Sequence, residues 1–228
     1  MSTLRQLYDQ MLDAYGPQGW WPLLGHAGTN PTKTGSITGY HPGQYDFPRT
    51  DAERFEICVG AILTQNTAWP NVEQALRNLA ELDALSPNGI ERLDDDALRQ
   101  AIRPSGYFNM KARKLRELVA HVRVWNGRTP SREELLAVWG IGPETADSIR
   151  LYAYGQVEMV VDAYTRRILS HLGLVAQQVS YADLKAFCVA GLPADLIVYQ
   201  EFHALVVEHA KRHARSGLPD LIEWTAGT

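Results

Sequence analysis

The chain has 228 residues, 45% of them apolar and 21% charged, with a mean hydropathy of −0.24. That composition suits one large core or two small lobes and excludes disordered, collagen-like and coiled-coil chains. The formal net charge of −4 and a pI near 6.0, taken whole, argue against a polyanionic partner.

The N-terminal MSTLRQLYDQMLDAYG reads as an amphipathic helix rather than a secretory leader, and no apolar run approaches the roughly 20 residues that span a bilayer. No membrane association is therefore expected, and an intracellular protein is: cytoplasmic, and nucleoid-associated if bacterial. Residues 23–50, LLGHAGTNPTKTGSITGYHPGQYDFPRT, are rich in Gly, Thr and Pro, have no usable period, and exceed the usual length of a connection. This loop is expected to be mobile near a cleft.

Apolar residues then recur at three- and four-residue intervals in RFEICVGAILTQ, NVEQALRNLAEL, DDDALRQAI, KARKLRELVAHVRVW, ETADSIRLYAY, TRRILSHLGL, YADLKAFCVAGL and DLIVYQEFHALVVEHAKRHA. Asp94, Ser131 with Glu134, and Ser180 with Asp183 suit helix starts; Gly106, Gly127 and Gly173 suit helix ends. The one long β-like run is QVEMVVD. The pattern predicts an all-α protein of about ten helices joined by short turns.

Charge is spread unevenly along these elements. From Arg99 to Arg132 nine basic residues face one acid, Glu117, a local +8 that leaves −12 for the remainder. Phosphate contacts are local, because screening confines each to roughly 10 Å. The segment therefore permits a nucleic-acid partner, although a solvated helix face explains the same charges. Cys58 and Cys188 are far apart in apolar helical patterns, which suits buried thiols, and two cysteines cannot build a four-cysteine zinc or iron-sulphur site.

WGIGPETADSIRLYAYG places a Gly-Ile-Gly turn, Gly140 to Gly142, between EELLAVW and a second helix that opens at Pro143. Glycines before a proline at the first helical position make a tight helix-turn-helix whose second helix points free N–H groups outward, a site for a DNA phosphate. An ordinary helical hairpin has the same turn. Asp162, in VVDAYTRRI, follows Gly142 by 20 residues and stands at a helix start; capping and catalysis are both open to it. His203, His209 and His213 on the last helix admit a metal reading, against a solvated polar face.

With FEICVGAILTQNTAW, RPSGYFNMKARKL, WGIGPETAD, VVDAYTRRI and EFHALVVEHAKR in that order, the chain resembles the helix-hairpin-helix DNA glycosylases of the endonuclease III superfamily from about Arg54 to Arg215. The resemblance implies two helical lobes with an active-site cleft between them: a central lobe of residues 51–150, and a second formed by residues 1–50 and 151–228. By position Asp162 matches the catalytic aspartate, and residues 140–147, with Gly140 and Gly142, the hairpin. Gln65 matches the residue that fills the gap left by an extruded nucleotide, and Tyr107 the wedge side chain; Lys111 and the hairpin amides match phosphate contacts. Gln65 could equally end a helix, and Tyr107 could be a packing aromatic.

Two departures refine the resemblance. Bifunctional members attack the sugar with a hairpin lysine 18 residues before the aspartate; here Glu144 stands in that place, and a carboxylate cannot form an imine. The cysteines of the family's C-terminal iron-sulphur loop are also missing. Both features are similar to those of the 3-methyladenine DNA glycosylase III type, in which Trp20, Trp21, Pro22 and Trp69 would line the base pocket; core packing is their other use. A ring-alkylated purine is cationic and a good leaving group, so indole faces can select it by cation–π stacking worth about 1–2 kcal/mol, and a carboxylate suffices to orient water.

The expectation is thus a monofunctional enzyme, a monomer acting on double-stranded DNA with a damaged base. It would have no iron-sulphur cluster or other cofactor, apart from a monovalent cation on the hairpin carbonyls. An endonuclease III-like or mismatch glycosylase acting on pyrimidines, and a non-catalytic DNA-binding protein, are the alternatives.

Overall fold

The computed structural model describes residues 3–32 and 38–213. Among them stand eleven α-helices: α1 (Thr3–Tyr15), α2 (Asp51–Leu63), α3 (Trp69–Glu81), α4 (Pro87–Arg92), α5 (Asp95–Ala101), α6 (Phe108–Trp125), α7 (Arg132–Ala137), α8 (Pro143–Ser148), α9 (Ala163–His171), α10 (Tyr181–Gly191) and α11 (Leu196–Arg212). A 3-10 turn covers Arg103–Ser105 and a π-helical turn Ile149–Ala153. The protein is all-α, with no strand among the described residues. QVEMVVD is extended chain that buries Met159, Val160 and Val161 and finds no partner strand.

Helix starts follow local chemistry. Thr50 and Glu53 form a reciprocal capping box at α2, as do Ser131 and Glu134 at α7, while Asp94 and Ser180 cap α5 and α10. Helix α6 begins three residues before the Lys111 of the charge pattern, because Gly106 (φ 69°) and Tyr107 (φ 46°) take left-handed backbone and turn the chain into it.

Packing sorts the elements into two groups. Helix α2 packs on α3, α6, α8 and the π turn; α4 and α5 pack on α6, and α7 on α8. Helix α1 instead packs on α10 and α11, and α9 on α11, so the first and last helices meet in one group. The π turn touches both α2 and α11, which places it at the seam. Asp147 of α8, with no exposed side-chain surface, also crosses that seam. It accepts from Arg132 Nε at 2.6 Å, the Tyr181 hydroxyl at 2.6 Å and Lys185 Nζ at 2.8 Å. Lys185 in turn pairs with Glu158, which accepts from Arg150 Nε at 2.9 Å.

The loop expected to be mobile is largely packed down, and only its residues 33–37 lie outside the described ones. Leu23, Tyr40 and Phe47 join the core, with Leu23 N–H donating to the Gly39 carbonyl at 3.0 Å. His41 is buried with its Nε2 3.0 Å from the Trp21 carbonyl. Irregular spacing hid these anchors, since no helical or strand period joins them. The Leu24 N–H donates to Glu56 Oε1 at 2.7 Å, and burial, opposed by that bond, pushes the Glu56 carboxyl up to about 7.

Removing the carboxylate in Asp147→Ala is expected to cost about 3–5 kcal/mol, because three donors lose their buried partner; a chemical melt that moves by less than 1 kcal/mol would contradict this. Glu56 holds its proton in the folded state above the pH at which the unfolded chain releases it. Its contribution therefore falls as pH rises from about 4.5 to 7, by roughly 2–3 kcal/mol. Glu56→Gln should flatten that part of the stability profile, measured by thermal melts between pH 4.5 and 8.

Candidate active site

The hairpin between α7 and α8 is held by its own backbone and by two other helices. The Ile141 N–H donates to the Val138 carbonyl at 3.1 Å, and the Ala146 N–H to the Gly142 carbonyl at 2.9 Å. Gly140 has φ 86°, and a Cβ there would lie 2.5 Å from Lys114 Cγ, so only glycine lets α6 come this close. The Lys114 stem crosses the turn and its amine donates to Gln65 Oε1. Gln65 Nε2 donates to Thr145 Oγ1 at 3.0 Å and to the Gly140 carbonyl at 3.3 Å. Gln65 thus stands on the hairpin, held by α6.

Lys111 is not at the surface. It is 2% exposed and its amine donates to the Leu63 carbonyl at 2.8 Å and the Ser105 carbonyl at 2.7 Å. Burial, with the Lys114 charge adding to it, brings that amine down to about 8. The residue expected to touch phosphate instead ties the end of α2 to the 3-10 turn by filling carbonyls that a helix end leaves without partners. Its place on the inward face of α6, beside Ala112 and Leu115, is the physical reason.

Much of the +8 segment is compensated in space. Arg99 pairs with Asp96, Arg116 with Asp95, Arg123 with Glu91, Arg128 with Glu134 and Arg132 with Asp147. Arg103 is exposed with no ion pair among the described residues, and Arg113, 3.9 Å from Glu117 on its own helix, lies 3.8 Å over the Trp139 ring. Between them Tyr107 is 71% exposed on its left-handed backbone.

Asp162 caps α9. Its Oδ1 accepts from Thr165 N–H at 2.7 Å and Thr165 Oγ1 at 2.8 Å, while Oδ2 has no hydrogen-bond partner among the described residues and lies 3.9 Å from His203 Nε2. His203 is buried, its Nδ1 2.7 Å from the Tyr152 hydroxyl. Burial lowers its pKa, against the pull of the Asp162 charge. Glu144, in the first turn of α8, faces the same carboxylate. The residue reaches solvent, but desolvation of its carboxyl by the groups around it, with the Asp162 charge, pushes it up to about 7, and Arg166 opposes this.

The tryptophans gather beside this carboxylate, though not as open faces. Trp20 meets Trp69 edge-on at 4.8 Å, and Trp21 meets Trp69 at 5.3 Å and Tyr152 at 5.4 Å. Trp21 and Trp69 are buried in the core; Trp20 is half-buried. Lys211 Nζ sits 5.5 Å over the Trp20 ring, and its amine, lowered by burial, feels the Asp162 charge. Trp20, Tyr40 and Lys211 line a space of about 10 Å³, too small for a base until side chains move. Pro22 is not part of that lining; it borders a different small space with Thr38, Gly39, Trp69 and Arg77.

Sequence reading missed Tyr152, Lys211 and the closeness of His203 to Asp162; three histidines on one helix were the visible signal. His209, expected on a solvated face or at a metal, is buried with Nδ1 2.9 Å from the Tyr15 hydroxyl. No cluster of three or more His, Cys, Asp or Glu able to hold a metal occurs among the described residues.

Residues 59–193 match the family model of the HhH-GPD superfamily of base excision DNA repair proteins. The chain belongs to that superfamily. A protein of Methanocaldococcus jannaschii that carries the name of a DNA repair glycosylase is 38% identical over 92% of this chain and 88% of its own. The H. pylori 3-methyladenine DNA glycosylase, solved with bound 1,N6-ethenoadenine, superposes with a TM-score of 0.68 and 26% identity over 93% of this chain and 98% of that one. An endonuclease III trapped on DNA shares the fold at a TM-score of 0.72 with 20% identity, covering 95% of this chain and 90% of that one. The HhH-GPD match includes Gln65, the hairpin and Asp162, and stops short of Trp20 and α11.

For this HhH-GPD chain, Lys111→Met is expected to lower stability by about 2–4 kcal/mol, since two buried carbonyls lose their donor. It should leave the slope of log affinity against log salt for duplex DNA unchanged. A fall in that slope of nearly one unit would restore Lys111 to the phosphate contacts.

Proposed function

We propose that this HhH-GPD protein is a monofunctional DNA glycosylase that extrudes an alkylated purine, 3-methyladenine foremost, from double-stranded DNA and hydrolyses its N-glycosidic bond. The observation that carries the reading is the paired placement of Asp162 and Glu144: a carboxylate with one locked and one open oxygen, faced by a second carboxyl where a Schiff-base lysine would have to stand. Similarity to the H. pylori enzyme along nearly the full length of both chains supports the substrate class.

Residues take the following parts. The two packing groups act as lobes that grip the duplex as a monomer. The hairpin amides, Arg103 and Arg113 hold the backbone, Tyr107 wedges the stack, and Gln65 leaves its latch on Thr145 to occupy the vacated space. Trp20 turns to stack on the base, with Trp21 and Trp69 as its support. Asp162 stabilises the positive charge that grows on the sugar. An iron-sulphur cluster has no part in this scheme. A monovalent cation on the hairpin would share carbonyls that already hold single hydrogen bonds from Ile141, Gln65 and Ala146, and a carbonyl oxygen has a second lone pair to give.

One observation favours a second substrate range. The Lys211 ammonium already covers a face of Trp20, and a cationic base would meet a like charge there, which suits neutral damaged or mispaired bases.

Duplexes containing 3-methyladenine, thymine glycol or mismatched thymine separate the readings. The expected result is release of methyladenine, with strand cleavage only after alkali, and loss of about 10²–10⁴ in single-turnover rate in Asp162→Asn. Borohydride trapping of a protein–DNA adduct would overturn the monofunctional reading, and preferential release of the pyrimidines would overturn the purine one.

A further inference from the structure

Two acceptors face each other beside the proposed reaction centre. Tyr152 has one hydroxyl proton and two polar neighbours, the Gln200 carbonyl at 3.1 Å and His203 Nδ1 at 2.7 Å. A carbonyl can only accept, whereas a ring nitrogen can donate. Both contacts are satisfied at once when the phenol gives its proton to Gln200 and the Nδ1–H of His203 donates to the phenol oxygen. In the neutral ring this leaves Nε2 with a bare lone pair, and Nε2 points at Asp162 Oδ2 from 3.9 Å.

A lone pair opposite a carboxylate oxygen repels it, unless something that donates to both lies between them. A water does so with its two protons, which turns its own lone pairs outward. The side chains of His203 and Asp162 keep 9% and 11% of their surface exposed, so solvent reaches the gap. Thr165 holds Oδ1 and leaves Oδ2 for this purpose.

We propose that His203 is a second catalytic residue, which together with Asp162 holds and deprotonates the water that hydrolyses the glycosidic bond. This rests on the glycosylase reading above. The water oxygen bonds to C1′, the C1′–N bond breaks with its electron pair going to the departing base, and the water's proton passes to Nε2. From a cationic nucleoside the base leaves neutral and that proton is shed to solvent; from a neutral nucleoside it ends on the base. The groups that bear on His203 are Asp162 at the start of α9, Tyr152 in the π turn and Lys211 on its own helix; Glu144 of α8 bears on Asp162, and Glu201 on Tyr152. Burial keeps the imidazole neutral to lower pH than usual, so its base form persists through neutrality and is lost on the acid side.

The test uses the full chain and the lesion duplex that the wild type processes fastest. ¹⁵N spectra of the free protein should show His203 protonated at Nδ1 and bare at Nε2 at pH 7; the opposite tautomer would overturn the assignment without any variant. His203→Asn keeps a donor for Tyr152 and removes the Nε2 acceptor. It should slow single-turnover excision by about 100-fold or more, leave affinity for an abasic-analogue duplex within twofold, and abolish the acid limb of the pH–rate profile. If the folded variant excises at the wild-type rate, the inference fails and the glycosylase reading stands. If the wild type releases no base from any duplex, both fail together.

Discussion

The Asp162 side chain holds its two oxygens in two different settings, and the proposed site depends on their separation. One oxygen closes the capping box that starts α9, accepting both the backbone and the hydroxyl of Thr165. That lock fixes the direction of the other, because a carboxylate is planar. The buried Val160 and Val161 behind it anchor the approach, so the free oxygen is held at the seam where α8, the π turn and α11 converge. The cap and the proposed catalytic group are here the same residue, and capping leaves the second oxygen unused.

The groups around that oxygen are shifted by desolvation, the acid upward and the bases downward. Glu144 is pushed toward its neutral form and His203 is kept neutral, while Lys211 loses basicity to burial. Each shift has desolvation as its largest cause, and each is modulated by Asp162. Pulling pKa values of neighbouring groups toward neutrality from both sides is how a fold gains acid and base functions near pH 7.

Binding surface and core have exchanged parts relative to a linear reading of charge. Six of the nine basic residues in the +8 segment pair with acids, and five of those six acids lie outside Arg99–Arg132. Lys111 serves as an internal brace, and Lys114 as the clamp between Gln65 and the hairpin. What remains to propose for a phosphate backbone is a smaller set: Arg103, Arg113 with only a long 3.9 Å pairing to Glu117, and the hairpin itself. A net charge of −4 is compatible with this, since only the local field within about a Debye length matters.

Local rules were legible in the amino-acid sequence: the all-α class, the caps at Asp94, Ser131 and Ser180, the glycine turn that needs φ 86° at Gly140, and the placement of Asp162 at a helix start. These depend on residues within four positions of one another, and hydrogen-bond chemistry at that range is written in the chain order. Family resemblance added the hairpin and the aspartate as a pair. Tertiary structure decided the rest. Whether Lys111 points in or out, whether Trp20 lies open or under Lys211, whether residues 23–50 pack, and whether His203 comes within reach of Asp162 all turn on contacts between helices far apart in sequence. Burial, unlike helical period, is a property of what stands opposite a residue, and only the folded chain supplies that.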